Sequence, residues 1–466
     1  MNGLRYGPLS ADDVGRVHEA ALAALEARGL PVQGEAVFQM LEEAGARVDR
    51  AAGRAWLSAG LVNGAVAQAP ASFVVAGRTP DRDARFGGGP GGLLAATAAT
   101  TDIGATCTLA DALAEIVAIG LPTPRLAGLP VVVAHTAKPV LVCGSLDAVH
   151  AAVAVQAARW LTCDGESDRE SDGSPDTADD AAQELPSDRR YPPLGVVVHS
   201  AEQTDLGPLL ACARGGLACA WLSQPILDPA DAASTGLVAG VTAFHAAALA
   251  ACALQQLAAP ASAFAVPALP AAIELHAPAL GSGAAYAAAF GAVAQLAAHA
   301  GLPVTSGFPL TRTAADEWSA AAEAALALQA AALGGAALVA GAGHTDRGTV
   351  YSPAQLVLDA ETWSNVAAVA AGIEVDDDSI ALDTIAAIGI GGNALAQKHT
   401  RRHMKDVWRP RLFDRTAYDV WDREGRLGAH ERAAALAGDL VAGHEVPPLD
   451  AEKAATLRRI IEAAGL

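Results

Sequence analysis

Polar and ionisable side chains recur just beyond a series of short apolar runs. Ser145 and Asp147 follow PVLVC (139–143), His199 and Glu202 follow LGVVV (194–198), and Ser223 and Gln224 follow LACAWL (217–222). Glu274 and His276 come after SAFAV (262–266), Arg312, Asp316 and Glu317 after PVTSG (303–307), and His344 and Asp346 after ALVAG (337–341). Carboxylates, imidazoles and amides brought to one level would make a pocket suited to a small cation. Trp221, Tyr286, Phe308, Trp318 and Tyr351 stand near the same run ends and would supply aromatic faces. Each of these residues also has a plainer reading as a helix cap or loop hydrogen bond, and Asp316 is well placed to cap a helix starting at Glu317. His399 and His403, four apart, have the spacing of paired zinc ligands. No glutamate follows His399 and no third ligand is evident, so the pair reads as a polar helix face and no metal is expected. The aspartates at 376–378 read as helix-start charge.

The elements that must position these groups alternate. Buried-strand runs, the six above plus PVVVA (130–134), are interleaved with Ala-rich helical stretches at 204–214, 236–257, 283–300, 316–333 and 353–371. Strands alternating with helices imply a parallel sheet, and seven or so such units favour a closed (β/α)8 barrel over an open one. FGGGPGG (86–92) lacks the strand-then-helix context of a dinucleotide fingerprint, since no strand is expected to run into it and no helix follows. The chain therefore divides into an N-terminal helical and small-strand extension (1–85), the α/β barrel (86–395) and a C-terminal helical extension (396–466). In the first part, Ser10 caps a helix that ends at Gly29. PVVVA and PVLVC are separated by only His135–Lys138, too short for a helical crossover, so one barrel unit is irregular or PVVVA is helical. The acidic, aperiodic stretch 163–190 reads as an inserted, solvated, disordered loop.

Composition excludes several classes. Hydrophobic residues make up 52% and charged residues 18%, enough for a sizeable core and too apolar for wholesale disorder. The net charge of −20 repels phosphate backbones and anionic membranes, which argues against nucleic-acid and membrane partners. Six cysteines without a CxxC pair support neither a zinc ribbon nor a redox dithiol; Cys143, Cys219 and Cys252 lie in apolar runs and read as core residues in a reducing cytosol. No apolar signal region opens the chain, and Thr242–Ala259, interrupted by His245, Gln255 and Gln256, makes a poor membrane span. A cytoplasmic protein, in some settings a homo-oligomer, is expected.

Several stretches carry a resemblance. LSADDVGRVHEAALAALEARG with EEAGARVD near the start, TAKPVLV (136–142), and LVLDAETWSNVAAVAAGIEVDDD (356–378) keep one family's order. GIEVDDDSIALDTIAAIGIGGNALAQKHTRRHMKDVWRPRLFDR (372–415), with its acidic run, GG turn, HT pair and W-P-R-L-F-D-R run, is the most specific. Together they resemble the trimethylamine methyltransferase family. That resemblance implies a TIM-type barrel moving a methyl group from a methylated or quaternary amine to the cobalt of a corrinoid (cobalamin) carried by a partner protein. The stretch matching the family's pyrrolysine loop is TRTAAD (311–316), with no lysine or unusual residue. This marks the chain as a divergent, non-pyrrolysine member, for which a quaternary, betaine-like donor is the simpler expectation, since it leaves as a neutral amine without a proton.

On that reading Asp316, Glu317, His344 and Asp346 are the catalytic candidates, and Glu274, His276, His199, Trp318 and Tyr351 the substrate-binding ones. Arg401, Arg402, Arg409 and Arg411 would dock an acidic partner or serve structure alone. The alternative is a catalytically degenerate member or a non-catalytic binding protein on a barrel scaffold, which alanine at usually polar central positions favours.

Only four of the 31 basic residues are lysine, and Asp outnumbers Glu, a composition that fits a GC-rich genome or a high-salt cytoplasm. If the acidic surface is an adaptation to salt, screening its self-repulsion stabilises the fold. Thermal unfolding followed from low to molar NaCl should then show a rising midpoint; a flat or falling one rejects salt adaptation.

Overall fold

The computed structural model describes residues 6–89, 91–96, 102–162, 190–198, 206–221, 236–267, 283–308, 317–345, 350–373 and 375–466. Eight strands make one parallel sheet: β1 (Gly92–Ala96), β2 (Ile116–Pro122), β3 (Val140–Cys143), β4 (Leu194–Val198), β5 (Ala218–Trp221), β6 (Phe264–Ala265), β7 (Thr305–Gly307) and β8 (Leu338–Ala342). Neighbours run β6-β5-β4-β3-β2-β1-β8-β7, and a parallel bridge between Val266 and Val304 joins the two ends. The Val266 N–H donates to Pro303 O and the Thr305 N–H donates to Val266 O, each at 2.8 Å. The sheet thus closes on itself.

A helix follows every strand: α1 (Ile103–Ala112), α2 (Leu129–Ala134), α3 (Ala148–Thr162), α4 (Gly207–Arg214), α5 (Leu237–Ala258), α6 (Gly283–His299), α7 (Glu317–Leu333) and α8 (Pro353–Ala371). The architecture is a (β/α)8 barrel. PVVVA is helix α2, not a strand, and a 3-10 stretch at Thr123–Gly128 leads into it, so the second unit is the irregular one and none is lost. Two strands were hidden from periodicity. β1 lies in the Gly/Ala-rich stretch after FGGGPGG, and β2, IVAIGLP, is interrupted by glycine and ends in proline. A short strand, Ala84–Phe86, does run into the glycines, contrary to expectation, but a strand rather than a helix follows them.

Alternation along each strand sorts its side chains into two cores. Leu93, Ile119, Val140, Val142, Val196, Cys219, Phe264 and Val339 pack against the helices. Leu94, Ala118, Leu141, Val197, Ala218, Ala220, Ala265 and Leu338 form a separate inner core. The inner set is small for a barrel, where bulky branched residues normally fill the layers. The deficit is met from the N-terminal mouth by a three-stranded sheet of Phe73–Val75, Ala84–Phe86 and Arg190–Tyr191. Phe73 stacks on Phe86 at 4.8 Å between centroids, Tyr191 meets Phe73 edge-on, and the Tyr191 hydroxyl donates to Ala261 O at 3.1 Å. Arg190 therefore belongs to this plug; the rest of the expected disordered loop at 163–190 lies outside the described residues.

α5 is long and apolar enough to cross a membrane by length and composition, but most of it is buried within the protein. The N-terminal helix Ala11–Arg28, capped by the Ser10 hydroxyl and ended at Gly29, packs on it. His18 Nδ1 lies 3.0 Å from His245 Nε2 at that contact. Burial, with the neighbouring His18 and His299, lowers the His245 pKa to about 3, so its ring is neutral.

A buried ion cluster ties the first three barrel units to the C-terminal extension. Asp111, at the end of α1, accepts bonds from the Thr136 hydroxyl (2.8 Å) and the Ala137 N–H (2.7 Å), and lies 2.8 Å from His444 Nε2. Burial alone would raise its pKa; His444, Thr136, Ala137 and the Lys138 charge outweigh it and hold the carboxyl below its usual range. The Lys138 ammonium donates to the α1-end carbonyls of Ala110 (2.6 Å) and Leu113 (2.5 Å). Burial brings its pKa from 10.5 down to about 7, against the opposing pull of Asp111.

Asp111→Ala leaves the Thr136 hydroxyl and the Ala137 N–H without their buried acceptor and takes away the carboxylate charge beside Lys138, a loss of about 3–5 kcal/mol in urea unfolding. Between pH 7 and 10.5 the unfolded chain keeps the Lys138 proton that the folded chain has released, so stability gains with rising pH across that window. Lys138→Met should remove this rise; an unchanged slope in the variant contradicts the assignment.

Candidate functional site at the C-terminal face of the barrel

β8 ends in two glycines that turn the chain. Gly341 and Gly343 have φ of +101° and +79°, and a Cβ at Gly343 would stand 2.8 Å from the Tyr351 ring. The turn delivers His344 into a short hairpin, where His344–Thr345 pairs antiparallel with Val350–Tyr351. From α8, the buried Asp359 carboxylate accepts the Gly343 N–H at 2.7 Å and the Gln355 amide at 2.8 Å, which fixes the turn. His344 is buried, and its ring centroid lies 5.4 Å from that of Tyr351. With His344 Nδ1 lying 3.1 Å from the Ala342 carbonyl, the proton belongs on Nδ1 and Nε2 is the basic nitrogen. Burial raises the Tyr351 pKa to about 12, so the phenol keeps its proton.

The neighbouring strand end is equally ordered. The Tyr286 hydroxyl, from α6, accepts the Gly307 N–H at 2.9 Å and lies 3.5 Å from Ser306 Oγ, just where β7 finishes. Phe308 N–H donates to Ala340 O at 3.0 Å, which keeps the ends of β7 and β8 level. At β3, Gly144 (φ +111°) turns the chain, and the Thr123 hydroxyl donates to Cys143 O at 3.1 Å. Burial pushes the Cys143 thiol up to about 12, and Cys107, on α1, likewise to about 12. Both are thiols at neutral pH.

The structure thus brings His344, Tyr351 and Tyr286 to the C-terminal ends of β7 and β8. Glu317 opens α7, and Trp318 beside it is 83% exposed. Asp147 serves as the plainer reading had it: it accepts the His150 N–H at 2.8 Å at the start of α3, and this bond first, with the His150 ring, lowers its pKa. Trp221 is not a pocket wall. Its indole is fully buried between β5 and α5 and donates to Gln255 Oε1 at 2.9 Å. His199, Glu202, Ser223, Gln224, Glu274, His276, Arg312, Asp316 and Asp346 lie outside the described residues. Asp359 and Tyr286's bond to Gly307 N were missed by reading the strand ends; the only sequence signal for Asp359 was its place on the inner face of α8.

In the C-terminal region, His399 and His403 share a helix face, with ring centroids 4.2 Å apart. Their third neighbour is Asp378, 21 residues before His399 in the chain. His403 Nε2 lies 3.2 Å from Asp378 Oδ2 and its Nδ1 2.6 Å from Asp406 Oδ2, and His399 Nε2 lies 2.7 Å from Asp378 O. The three side chains converge closely enough to hold a metal ion. The Arg402 guanidinium, however, already pairs with the Asp378 carboxylate. A cation is thus in place, and the group acts as a clasp between 376–380 and 398–403.

The model of the family described as "Trimethylamine methyltransferase (MTTB)" matches residues 2–104 and 200–464. A trimethylamine methyltransferase MttB of Desulfitobacterium hafniense is 32% identical over 124 residues, 27% of this chain and 25% of that one. A glycine betaine methyltransferase of the same species is 36% identical over 112 residues, 24% of this chain and 23% of its own length. The aligned stretch thus spans about a quarter of these curated relatives. The crystal structure of the Methanosarcina barkeri monomethylamine methyltransferase (MtmB) superposes with a TM-score of 0.45 at 11% identity, covering 100% of this chain and 96% of that one. With the family model matched over most of its length, this chain belongs to the trimethylamine methyltransferase family.

Proposed function

We propose that this protein transfers a methyl group from a small quaternary amine of the betaine type to the cobalt of a corrinoid carried by a partner protein. The observation that carries the reading is the family match over most of a chain folded as a (β/α)8 barrel. In the reaction the C–N bond breaks with its electron pair left on nitrogen, giving a neutral tertiary amine. The Co(I) electron pair forms the new C–Co bond. No proton is required of the protein, and no protein nucleophile is needed. The thiols of Cys107 and Cys143 and the phenol of Tyr351, all held protonated by burial, are consistent with an external nucleophile.

The protein's task is then orientation and electrostatics. Asp316, Glu317 and Asp346 are assigned to the electrostatic environment of the ammonium, with Glu274, His276 and His199 completing the strand-end ring. His344, seated by the Gly343 turn, and the Tyr351 and Trp318 rings are assigned to position the methyl group; aromatic faces attract a quaternary cation. The absence of lysine from TRTAAD and the betaine methyltransferase likeness support a quaternary donor over trimethylamine. Membership with lost activity, or binding without turnover, is the competing reading. Alanine at central positions that are usually polar in the family favours it.

The test follows the loss of reduced-corrinoid absorbance with a matched corrinoid protein and a panel of betaine, carnitine, choline and simple methylamines. Turnover with a quaternary compound is expected. Glu274→Gln should mainly raise KM, because a carboxylate near the ammonium stabilises ground and transition states alike, whereas His344→Ala should lower kcat. If no donor changes the spectrum, the enzymatic reading fails and the inactive-member reading replaces it.

A further inference from the structure

Residues 372–411 form an arm that leaves the barrel after α8 and returns to it at Leu412. The return is anchored: the Glu361 carboxylate, buried on α8, accepts the Arg411 N–H at 2.7 Å, and the Arg411 guanidinium reaches Glu115 at 2.7 Å. Between α8 and that anchor no described residue is buried. The short helices at Asp377–Ile380, Leu382–Ile388 and Lys398–His403 therefore lack a core of their own, and Ile373, Leu382, Ile385 and Ile390 are exposed. A segment too small to build a core is ordered by cross-links, of which a bound metal is one of the commonest. The clasp on Asp378 has the makings of such a cross-link. One nitrogen each from His399 and His403 and one carboxylate oxygen of Asp378 lie within 4.8 Å of one another. The third ligand that the spacing of the two histidines lacked is thus supplied by the fold.

We infer that His399, His403 and Asp378 bind a divalent transition-metal ion of the zinc class, which displaces Arg402 and locks the two halves of the arm together. His403 is oriented as metal-bound histidines are. Its Nδ1 lies 2.6 Å from the Asp406 carboxylate, which places the ring proton there and turns the Nε2 lone pair toward Asp378 Oδ2, 3.2 Å away. Two electron-rich atoms facing each other need a cation between them. Ligands of a tetrahedral zinc, bound at about 2.0–2.1 Å, stand roughly 3.3 Å apart, close to the spacing already present. Arg402 fills the place meanwhile: its Nε donates to His403 Nε2 at 3.3 Å while the guanidinium pairs with Asp378. Its side chain is 61% exposed, so it can swing into solvent and leave the ligands to an ion. Two imidazoles and a carboxylate suit zinc, whereas magnesium and calcium take oxygen ligands. Water completes the fourth position, which makes the ion exchangeable. The inference does not rest on methyl transfer.

The test titrates the metal-free full chain, without a histidine tag, with cobalt(II) chloride and then with zinc chloride. Near-UV circular dichroism checks that the barrel stays folded in every variant. One equivalent of cobalt should bind with the visible bands of a four-coordinate nitrogen–oxygen site. Zinc should displace it, and excess magnesium or calcium should not. His399→Ala or His403→Ala should weaken binding by about 100-fold, and Asp406→Asn, which frees the His403 ring, by about 10-fold. Arg402→Gln should tighten binding about 10-fold by removing the competitor, a gain that a purely structural ion pair does not produce. Arg401→Gln, on the same helix, should leave the affinity unchanged. Zinc should also slow hydrogen exchange at 376–403 in the natural chain and not in His403→Ala. Failure to bind cobalt at micromolar concentration overturns the inference, and means that a second proton on His403 bridges Asp378 and Asp406. A sulfur-to-cobalt charge-transfer band, an affinity that His403→Ala does not lower, or one that Arg402→Gln does not raise overturns it equally.

Discussion

A closed eight-stranded barrel has an interior of nearly fixed width, and the side chains available must fill it or leave room. Here the inward positions are short: Ala118, Ala218, Ala220 and Ala265, with Leu94, Leu141, Val197 and Leu338 the larger exceptions. Alanine cannot fill such a space, so bulk has to come from outside the barrel. Phe73, Phe86 and Tyr191 bring it to the N-terminal mouth on a separate sheet. That sheet draws on two stretches of chain more than a hundred residues apart, so closing the barrel also fixes the N-terminal extension. The C-terminal half of the interior gets no such plug among the described residues. Small inward residues there are what a pocket above the barrel needs.

The same economy of side chains governs the polar interior. Asp111 is fully buried and serves four groups at once, joining α1, the approach to β3 and the C-terminal helices through His444. Each member is tolerable only because the others are present. Lys138 shows the balance: its ammonium caps the end of α1 with two short bonds, yet burial draws its pKa down to about 7. TAKPVLV, noticed in the sequence as a family-like stretch, is the segment that carries Thr136, Ala137 and Lys138 into this cluster. Its residues serve stability at the N-terminal side of the barrel, away from the strand ends where chemistry is expected.

Much of the architecture was legible in the residues because helix periodicity and capping are local. α8 spans 353–371 as read, and Ser10 and Gly29 bound the first helix. The failures have a common physical origin. PVVVA has strand-like composition, but Pro130 at the first turn of a helix and burial of Leu129, Val132 and Val133 against neighbours decide for α2. β1 and β2 were passed over because largely buried strands carry no clear alternation to read, and glycine and a terminal proline break up β2. At the candidate site, reading just past each strand located His344 and Tyr351. It misjudged Trp221, whose outward pointing depends on the parity of a four-residue strand. Asp378 could not be joined to His399 and His403 either, because only the folded arm brings together residues so far apart in the chain.

Electrostatics also separates the two ends of the molecule's work. At the strand ends the buried Tyr351 phenol and the thiols of Cys107 and Cys143 keep their protons. Held protonated, they present no thiolate or phenolate nucleophile there. On the arm the opposite holds, with charges exposed and paired only in part, and apolar side chains facing outward between them. Desolvating those side chains gains free energy only if the charges beside them find partners, and in a chain so acidic the basic ones are scarce. The buried Glu361–Arg411 anchor joins the arm to α8, the helix whose Asp359 holds the turn before His344.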